Sequence, residues 1–161
     1  MTVAYVALGA NLGEPRATIA AALAALADIA TTTVLARSSL YQTAPVGLKH
    51  QPDFINAVAA VDTKLPPLAL LEALFALEAR FGRSRSVPNA PRTLDLDLLL
   101  HGDSVCDHPQ LILPHPRMHQ RAFVLAPLTE IAPTCRIPGL GAVAELLGRC
   151  AEQRIRRVEF A

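Results

Sequence analysis

The chain has 161 residues, of which 52% are hydrophobic and 18% charged, so it suits one domain with a sizeable core. Its formal net charge of +1 argues against a general nucleic-acid binder. All but two of the 15 basic residues are arginine, which favours bidentate contact with phosphate or carboxylate. The three cysteines form no C-x-x-C pair and are typical of a reducing compartment.

The first half of the chain predicts strands and helices in alternation. β-Forming residues at 2–8 predict a strand that ends at the turn GANLGEP, and Pro15 then suits the first turn of a helix. The apolar face of this helix is predicted to contain Ile19, Leu23, Leu26, Ala27 and Ala30. After it we predict a strand at 31–39, a loop at 41–52, a strand at 54–63 and a helix at 66–82.

The second half begins with RSRSVPNAP, a polar segment with two prolines that favours no regular structure. It leads into a strand, PRTLDLDLLLHG, and then into a short strand and a helix from about Arg117. A terminal helix is predicted at 142–152. The order βαββαβ predicts a single α+β domain over residues 1–161, a ferredoxin-like sandwich with additional C-terminal helices.

Two aspartates stand among the leucines of the strand at 93–100. Alternation of side chains predicts Leu94, Leu96, Leu98 and Leu100 on one face and Thr93, Asp95, Asp97 and Leu99 on the other. Carboxylates about 6.6 Å apart along a strand can converge on divalent cations. The alternative is a half-buried strand whose outer face is wet. Because Leu99 continues the aspartate face, a compensating metal or arginine is expected there.

Other polar residues extend this hypothesis. The arginines at 83, 85, 92, 117 and 121, beside two carboxylates, suggest a polyphosphate–metal complex. Phe54 and Asn56 share a strand face, and an aromatic ring beside an amide suits a flat heterocycle. His115 and His119 are four residues apart, and a zinc pair is an alternative to a phosphate or core hydrogen-bonding role for His115.

Several motif classes are excluded or weak. No Walker A sequence occurs, and GLGAVA at 139–144 lies too close to the end of the sequence for a dinucleotide-binding βαβ unit. The apolar run at 19–30 is too short to span a bilayer, and no secretory signal is visible. We therefore expect a cytoplasmic protein that binds neither membrane nor nucleic acid.

Five blocks occur in an order that resembles a known family: YVALGANLG, YQTAPVG, DFINAV, PRTLDLDLLL and LPHPRMHQRAFVLAPLTEIAP. They resemble the 6-hydroxymethyl-7,8-dihydropterin pyrophosphokinases of folate biosynthesis, over about residues 2–138. The resemblance implies a ferredoxin-like fold and transfer of the pyrophosphoryl group of ATP to the pterin hydroxymethyl oxygen, with release of AMP. It also implies two Mg²⁺ ions, with ATP and the pterin as the partners of a monomer.

The resemblance implies roles for individual residues as well. Asp95 and Asp97 would bind both metal ions and, with Arg83 and Arg92, form the catalytic group. The pterin would be bound by Thr43, Pro45, Val46, Phe54, Asn56 and Phe123. ATP would be bound by Glu78, Arg85, Arg92, Leu98, His115 and Arg121, with Leu98 against the adenine. Members commonly have tyrosine where Phe54 stands, and often Arg-Trp-Gly-Pro-Arg where this chain has PNAPR, in a loop that is one residue shorter.

Two other classes of function fit the sequence less well. A non-catalytic ferredoxin-like module that binds a nucleotide or metal would not need the aspartates, Asn56 and the loop arginines together. A single-stranded RNA binder would need stacking platforms, yet only 4% of residues are aromatic and tryptophan is absent.

Overall fold

A six-stranded antiparallel sheet organises the computed structural model, which describes residues 1–45, 50–82 and 93–160. Helices cover both faces of the sheet, so the protein has a mixed α/β architecture. No helix in the described ranges is long and apolar enough to cross a membrane.

The sheet is built around two long central strands, β1 (Thr2–Ala10) and β4 (Phe54–Thr63), which pair along their whole length. The other strands of the sheet are β2 (Thr32–Arg37), β3 (Leu40–Thr43), β5 (Asp95–His101) and β10 (Ile155–Val158). Their order is β10-β3-β4-β1-β5, and β2 also pairs with β4. Strand β5 is therefore at one edge of the sheet.

The helices divide between the two faces. Helices α1 (Pro15–Ala25) and α2 (Pro67–Arg80) each begin with a proline, whose missing N–H costs nothing in the first turn. They bury leucines and Ile19 in one core with the inward residues of β1, β4 and β5. Helices α3 (Ala122–Ile131) and α4 (Val143–Gly148) form a second core on the opposite face.

Two small hairpins complete the described structure. They pair β6 (Cys106–His108) with β7 (Leu111–Leu113), and β8 (Arg136–Ile137) with β9 (Gly141–Ala142). The strand β7 confirms the short strand predicted after the aspartate strand. The predicted helix from about Arg117 is a 3₁₀ turn at Met118–Gln120 followed by α3.

Three sequence-based predictions of elements are wrong in detail. The first helix ends at Ala25 and continues as a 3₁₀ turn at Leu26–Asp28, so Ala27 and Ala30 are exposed instead of packed. The predicted loop at 41–52 begins with β3, which pairs with β4. The turn-forming residues that follow β3 favoured a loop in the sequence-based prediction. The predicted terminal helix is limited to α4, and the missed strand β10 follows it.

A β-bulge changes which face of the sheet the last residues of the aspartate strand point to. Tyr5 is opposite Leu100 and Val6 is opposite Leu98, so Leu99 is an extra residue in β5. Leu94, Leu96 and Leu98 pack in the core with α1 and α2, as alternation predicts. The prediction for Leu100 is wrong, because the bulge turns it toward the second core, where it packs with Leu99.

Candidate active site

A cavity of about 500 Å³ opens beside the sheet, on the face that α3 covers. Strands β1, β3, β4 and β5 form its floor, and the start of α3 and the segment before β10 form its walls. The polar and aromatic residues that line it are Thr43, Phe54, Asn56, Asp95, Asp97, His115, Arg117, Gln120, Arg121, Phe123 and Gln153. Acidic, basic, amide and aromatic groups thus share one space.

The acidic part of the cavity is supplied by β5. Asp95 and Asp97 are opposite Gly9 and Ala7 of β1, and both side chains are half-buried. Alternation in the strand directs both carboxylates to the same face, about 6.6 Å apart along the chain. Leu99, which is 1% exposed, closes the cavity beyond them. The predicted geometry of two adjacent carboxylates beside a closed apolar wall is present.

This pair fits magnesium better than a metal held by protein alone. No group of three or more His, Cys, Asp or Glu residues within the described ranges could hold a metal ion. Mg²⁺ usually takes one or two carboxylates and completes its shell with water and substrate phosphates. Two carboxylates in an open cavity are a donor set of that kind. His119, the second residue of the zinc alternative, does not line the cavity.

The strand that carries the aspartates is fixed at its outer edge by Glu78 of α2. This side chain is only 2% exposed, and its Oε2 accepts a hydrogen bond of 2.7 Å from the backbone N–H of Leu96. Leu96 lies between the two aspartates, so the bond holds the segment from which both project. Glu78 does not line the cavity, and its predicted contact with ATP stays a prediction.

A buried amide lies at the other end of the cavity. The Nδ2 group of Asn56 donates to Oγ1 of Thr43 at 3.0 Å, and both residues are less than 9% exposed. The Oδ1 atom of Asn56 lies against Gly9, where a Cβ atom would come within 3.3 Å of it. Gly9 therefore makes room for the amide, and contacts with Thr43 and Gly9 fix its orientation.

Aromatic rings from two elements stand beside this amide. Phe54 projects from the start of β4, two residues before Asn56 on the same strand face, and Phe123 comes from the first turn of α3. The guanidinium of Arg121 lies 5.5 Å from the centroid of the Phe123 ring. Arg121 thus connects the aromatic part of the cavity to its charged part.

His115 contributes an uncharged donor to the charged part. Burial lowers the pKa of His115 from 6.5 to about 4; the positive charge of Arg121, and less so that of Arg117, acts in the same direction, while Asp95 opposes them. The backbone N–H of Arg117 donates to Nδ1 of His115 at 3.2 Å. A neutral ring that accepts at Nδ1 carries its proton on Nε2, so Nε2 can donate to an anion.

The predicted site residues fall into three groups. Eight of them line the cavity: Thr43, Phe54, Asn56, Asp95, Asp97, His115, Arg121 and Phe123. Pro45, Glu78 and Leu98 are described but do not line it. The predicted residues Val46, Arg83, Arg85 and Arg92 lie outside the described residues.

Leu98 differs most from its predicted role. It is 2% exposed and packs in the core with α1 and α2, on the face of β5 opposite the aspartates. A contact between its side chain and adenine has no support from this position and stays a prediction.

Sequence reasoning missed Gly9, Gln120 and Gln153 as cavity residues. The sequence carries a signal for Gly9, since a glycine at the end of a strand often marks close approach of another group. Gln153 carries none, because it lies beyond the recognised blocks and beside a segment predicted to be helical.

Comparison with known proteins gives a consistent result. A family model described as 7,8-dihydro-6-hydroxymethylpterin-pyrophosphokinase (HPPK) matches residues 5–133. The chain is 49% identical over 157 residues to a Pseudomonas aeruginosa 2-amino-4-hydroxy-6-hydroxymethyldihydropteridine pyrophosphokinase, covering 98% of this chain and 97% of that protein. A Haemophilus influenzae protein of the same name is 41% identical, covering 96% and 97% of the two chains.

Similarity also extends to larger proteins. The fold resembles that of a Plasmodium falciparum HPPK-DHPS crystal structure with a TM-score of 0.74 at 14% sequence identity, which covers 92% of this chain and 42% of that longer one. At that identity the likeness concerns the fold alone. The family match and the full-length relatives decide the assignment: the chain belongs to the 7,8-dihydro-6-hydroxymethylpterin-pyrophosphokinase family.

Proposed function

We propose that the cavity is the active site for the reaction of this family, transfer of pyrophosphate from ATP to 6-hydroxymethyl-7,8-dihydropterin in folate biosynthesis. One observation carries the proposal: a carboxylate pair suited to metal-bound phosphates and an oriented amide suited to a heterocycle line the same cavity. The two ends correspond to the two substrates.

Asp95 and Asp97 would hold Mg²⁺ at the phosphate end. A bound Mg²⁺ would supply positive charge against the phosphates. The protein's own contribution there is to keep both carboxylates adjacent, through the bond between Glu78 and Leu96, and to offer Arg121 and the Nε2 donor of His115 to the phosphates. We propose that Arg83, Arg85 and Arg92, which lie outside the described residues, add further positive charge.

The pterin would occupy the amide end. Asn56 offers an acceptor and donor on one edge, which matches the pyrimidine edge of a pterin. Phe54 and Phe123 offer aromatic faces for stacking, with Thr43 in the same wall. We propose that Pro45 and Val46 also contribute to pterin binding.

With both ends occupied, the hydroxymethyl oxygen would lose its proton to solvent and attack the β-phosphorus, and the bond from that phosphorus to the bridging oxygen would break, so that this oxygen leaves as part of AMP. Such transfers need little covalent help, so positioning and charge stabilisation supply most of the acceleration. A cavity that holds one substrate with an amide and rings and the other with carboxylates and cations meets that requirement. A non-catalytic nucleotide-binding module would have no use for the oriented Asn56.

Three broader assignments accompany this function. We propose a ferredoxin-like sandwich, supported by the order β3-β4-β1-β5 with α1 and α2 on one face. We propose one domain over residues 1–161 that works as a monomer. We propose a cytoplasmic location, which the free thiols of Cys106, Cys135 and Cys150 support.

The reaction can be tested directly by mixing the protein with ATP, Mg²⁺ and 6-hydroxymethyl-7,8-dihydropterin. Attack at the β-phosphorus releases AMP, so AMP should form in step with pterin consumption. Chromatography of the nucleotides against AMP and ADP standards measures this, with a reaction lacking pterin as the control. ADP as the main product would refute the proposal.

Replacing Asp97 with asparagine should abolish turnover and leave the fold intact. The change keeps the shape of the side chain and removes one of two adjacent like charges, so we expect kcat to fall by about 10²-fold or more. The free energy of unfolding in urea should stay within about 1 kcal/mol of wild type. The exposed Asp107→Asn on β6 is the matched control, with activity unchanged. Severe unfolding of Asp97→Asn would show a structural salt bridge instead.

Replacing Asn56 with alanine should weaken pterin binding selectively. Loss of the amide leaves polar groups on the pterin edge unpaired, which costs about 1–3 kcal/mol in binding free energy. Calorimetry should show this loss for the pterin and almost no change for an ATP analogue. Thr32→Val is the matched control, because it removes a buried hydrogen bond to Thr63 in the same sheet, away from the cavity. Equal losses for both ligands would mean that Asn56 supports the fold only.

The free protein should lose stability in weak acid through His115. Its pKa is about 4 when folded and 6.5 when unfolded, so the unfolded state binds a proton first as the pH falls. The neutral ring therefore makes its full contribution to the free energy of unfolding above pH 6.5. That contribution, about 3 kcal/mol, is lost as the pH falls toward 4. Urea unfolding at several pH values measures it. His115→Asn, which keeps an acceptor for Arg117, should flatten the dependence, and an equal slope in both proteins would contradict the assignment.

A further inference from the structure

Gln153 makes two hydrogen bonds that lie on either side of Arg121 in sequence. Its Nε2 donates to the backbone carbonyl of Gln120 at 2.7 Å, and its Oε1 accepts from the backbone N–H of Ala122 at 2.9 Å. Both polar atoms of the amide are therefore used on the two neighbours of Arg121. A single side chain spans the point where the 3₁₀ turn changes into α3.

The backbone of Arg121 is bonded at this junction too, since its N–H donates to the carbonyl of Met118 at 3.3 Å and its carbonyl accepts from the N–H of Val124 at 3.0 Å. Arg121 has extended backbone angles between the two helical segments, and α3 has no side-chain cap from its own N-cap residue. The first N–H of an α-helix lacks a partner within the helix, and an acceptor must come from elsewhere. Oε1 of Gln153 supplies that acceptor from a distant part of the chain. The amide therefore adds a restraint on each side of the backbone from which Arg121 projects.

The backbone of Gln153 belongs to the turn between α4 and β10. Its backbone N–H donates to the carbonyl of Cys150 at 3.0 Å. Two residues later β10 begins, and there Ile155 pairs with Thr43, the partner of Asn56. Gln153 therefore joins the wall that carries Arg121 to the strands that carry Thr43 and Asn56.

We propose that Gln153 is a positioning residue for the reaction, which holds Arg121 at the phosphate end of the cavity through the backbone on either side of it. This inference rests on the proposed function. It assigns to the segment at 150–153, outside the blocks that resemble the family, a part in binding the nucleotide. If Gln153 only stabilised the fold, replacing it would weaken nucleotide binding to the same extent with and without Arg121. If Gln153 positions Arg121, its replacement should weaken nucleotide binding only when Arg121 is present.

A double-mutant cycle separates these roles. The variants are Gln153→Met, which keeps the volume of the side chain without its polar atoms, Gln153→Ala, Arg121→Ala and the double variants. The exposed neighbour Glu152→Ala is the matched control and should behave as wild type. Calorimetry measures the Kd of α,β-methylene-ATP with Mg²⁺ for each, and thermal unfolding measures Tm.

We expect Gln153→Met to raise the Kd by about tenfold when Arg121 is present, within the range of coupling between contacting groups. In the Arg121→Ala background the same change should have almost no effect. The kcat/KM for ATP should follow the same pattern. An equal rise in both backgrounds, or no rise at all, would overturn the proposal, and Gln153→Met decides the matter if Gln153→Ala does not fold.

Failure of the proposed function would give a different set of results. Wild-type protein would then bind the nucleotide analogue and form no AMP from ATP and pterin, while the cycle on Kd would still report on Gln153. Wild-type protein that binds no nucleotide would overturn both proposals.

Discussion

Two like charges held side by side are the constraint on which this structure depends. Carboxylates of Asp95 and Asp97 on one strand face repel each other and are costly to desolvate unless cations meet them. Arg117 and Arg121 line the same cavity, and His115 stays neutral there because burial lowers its pKa to about 4. Carboxylates and cations thus share one cavity, and this is the pattern of charge that the proposed metal-bound phosphates would meet.

The position of β5 at the edge of the sheet also helps to keep the two carboxylates side by side. An edge strand presents unpaired backbone groups, and here one of them, the N–H of Leu96, is bound by Glu78. On its inner side β5 pairs with β1, and the bulge at Leu99 turns two consecutive leucines into the core beneath α3. Strand β5 is thus bonded on both sides, while the face that carries the aspartates lines the cavity.

The sequence predicted local periodicity well and long-range pairing poorly. Alternation placed Asp95 and Asp97 on one face, and helical spacing identified α2, because both depend on near neighbours. It missed β3 and β10, whose pairing joins residues more than one hundred positions apart. It also misplaced Leu100, since a bulge depends on the partner strand. For the site, motif resemblance named eight residues that line the cavity but not Gln153, whose place there comes from tertiary contacts.

The cavity joins parts of the chain that are far apart, and this determines how it can respond to substrates. The end proposed for the pterin is built into the central strands, where Asn56 is fixed by Thr43 and Gly9. The end proposed for the phosphates depends on a helix start and on the segment before β10, which are joined by the two hydrogen bonds of Gln153 and by the packing of α3 against α4. Rearrangement on binding costs least where backbone bonds are fewest. The pterin end should therefore be preformed, and adjustment to the changing charge of the phosphates should fall on the wall that carries Arg121.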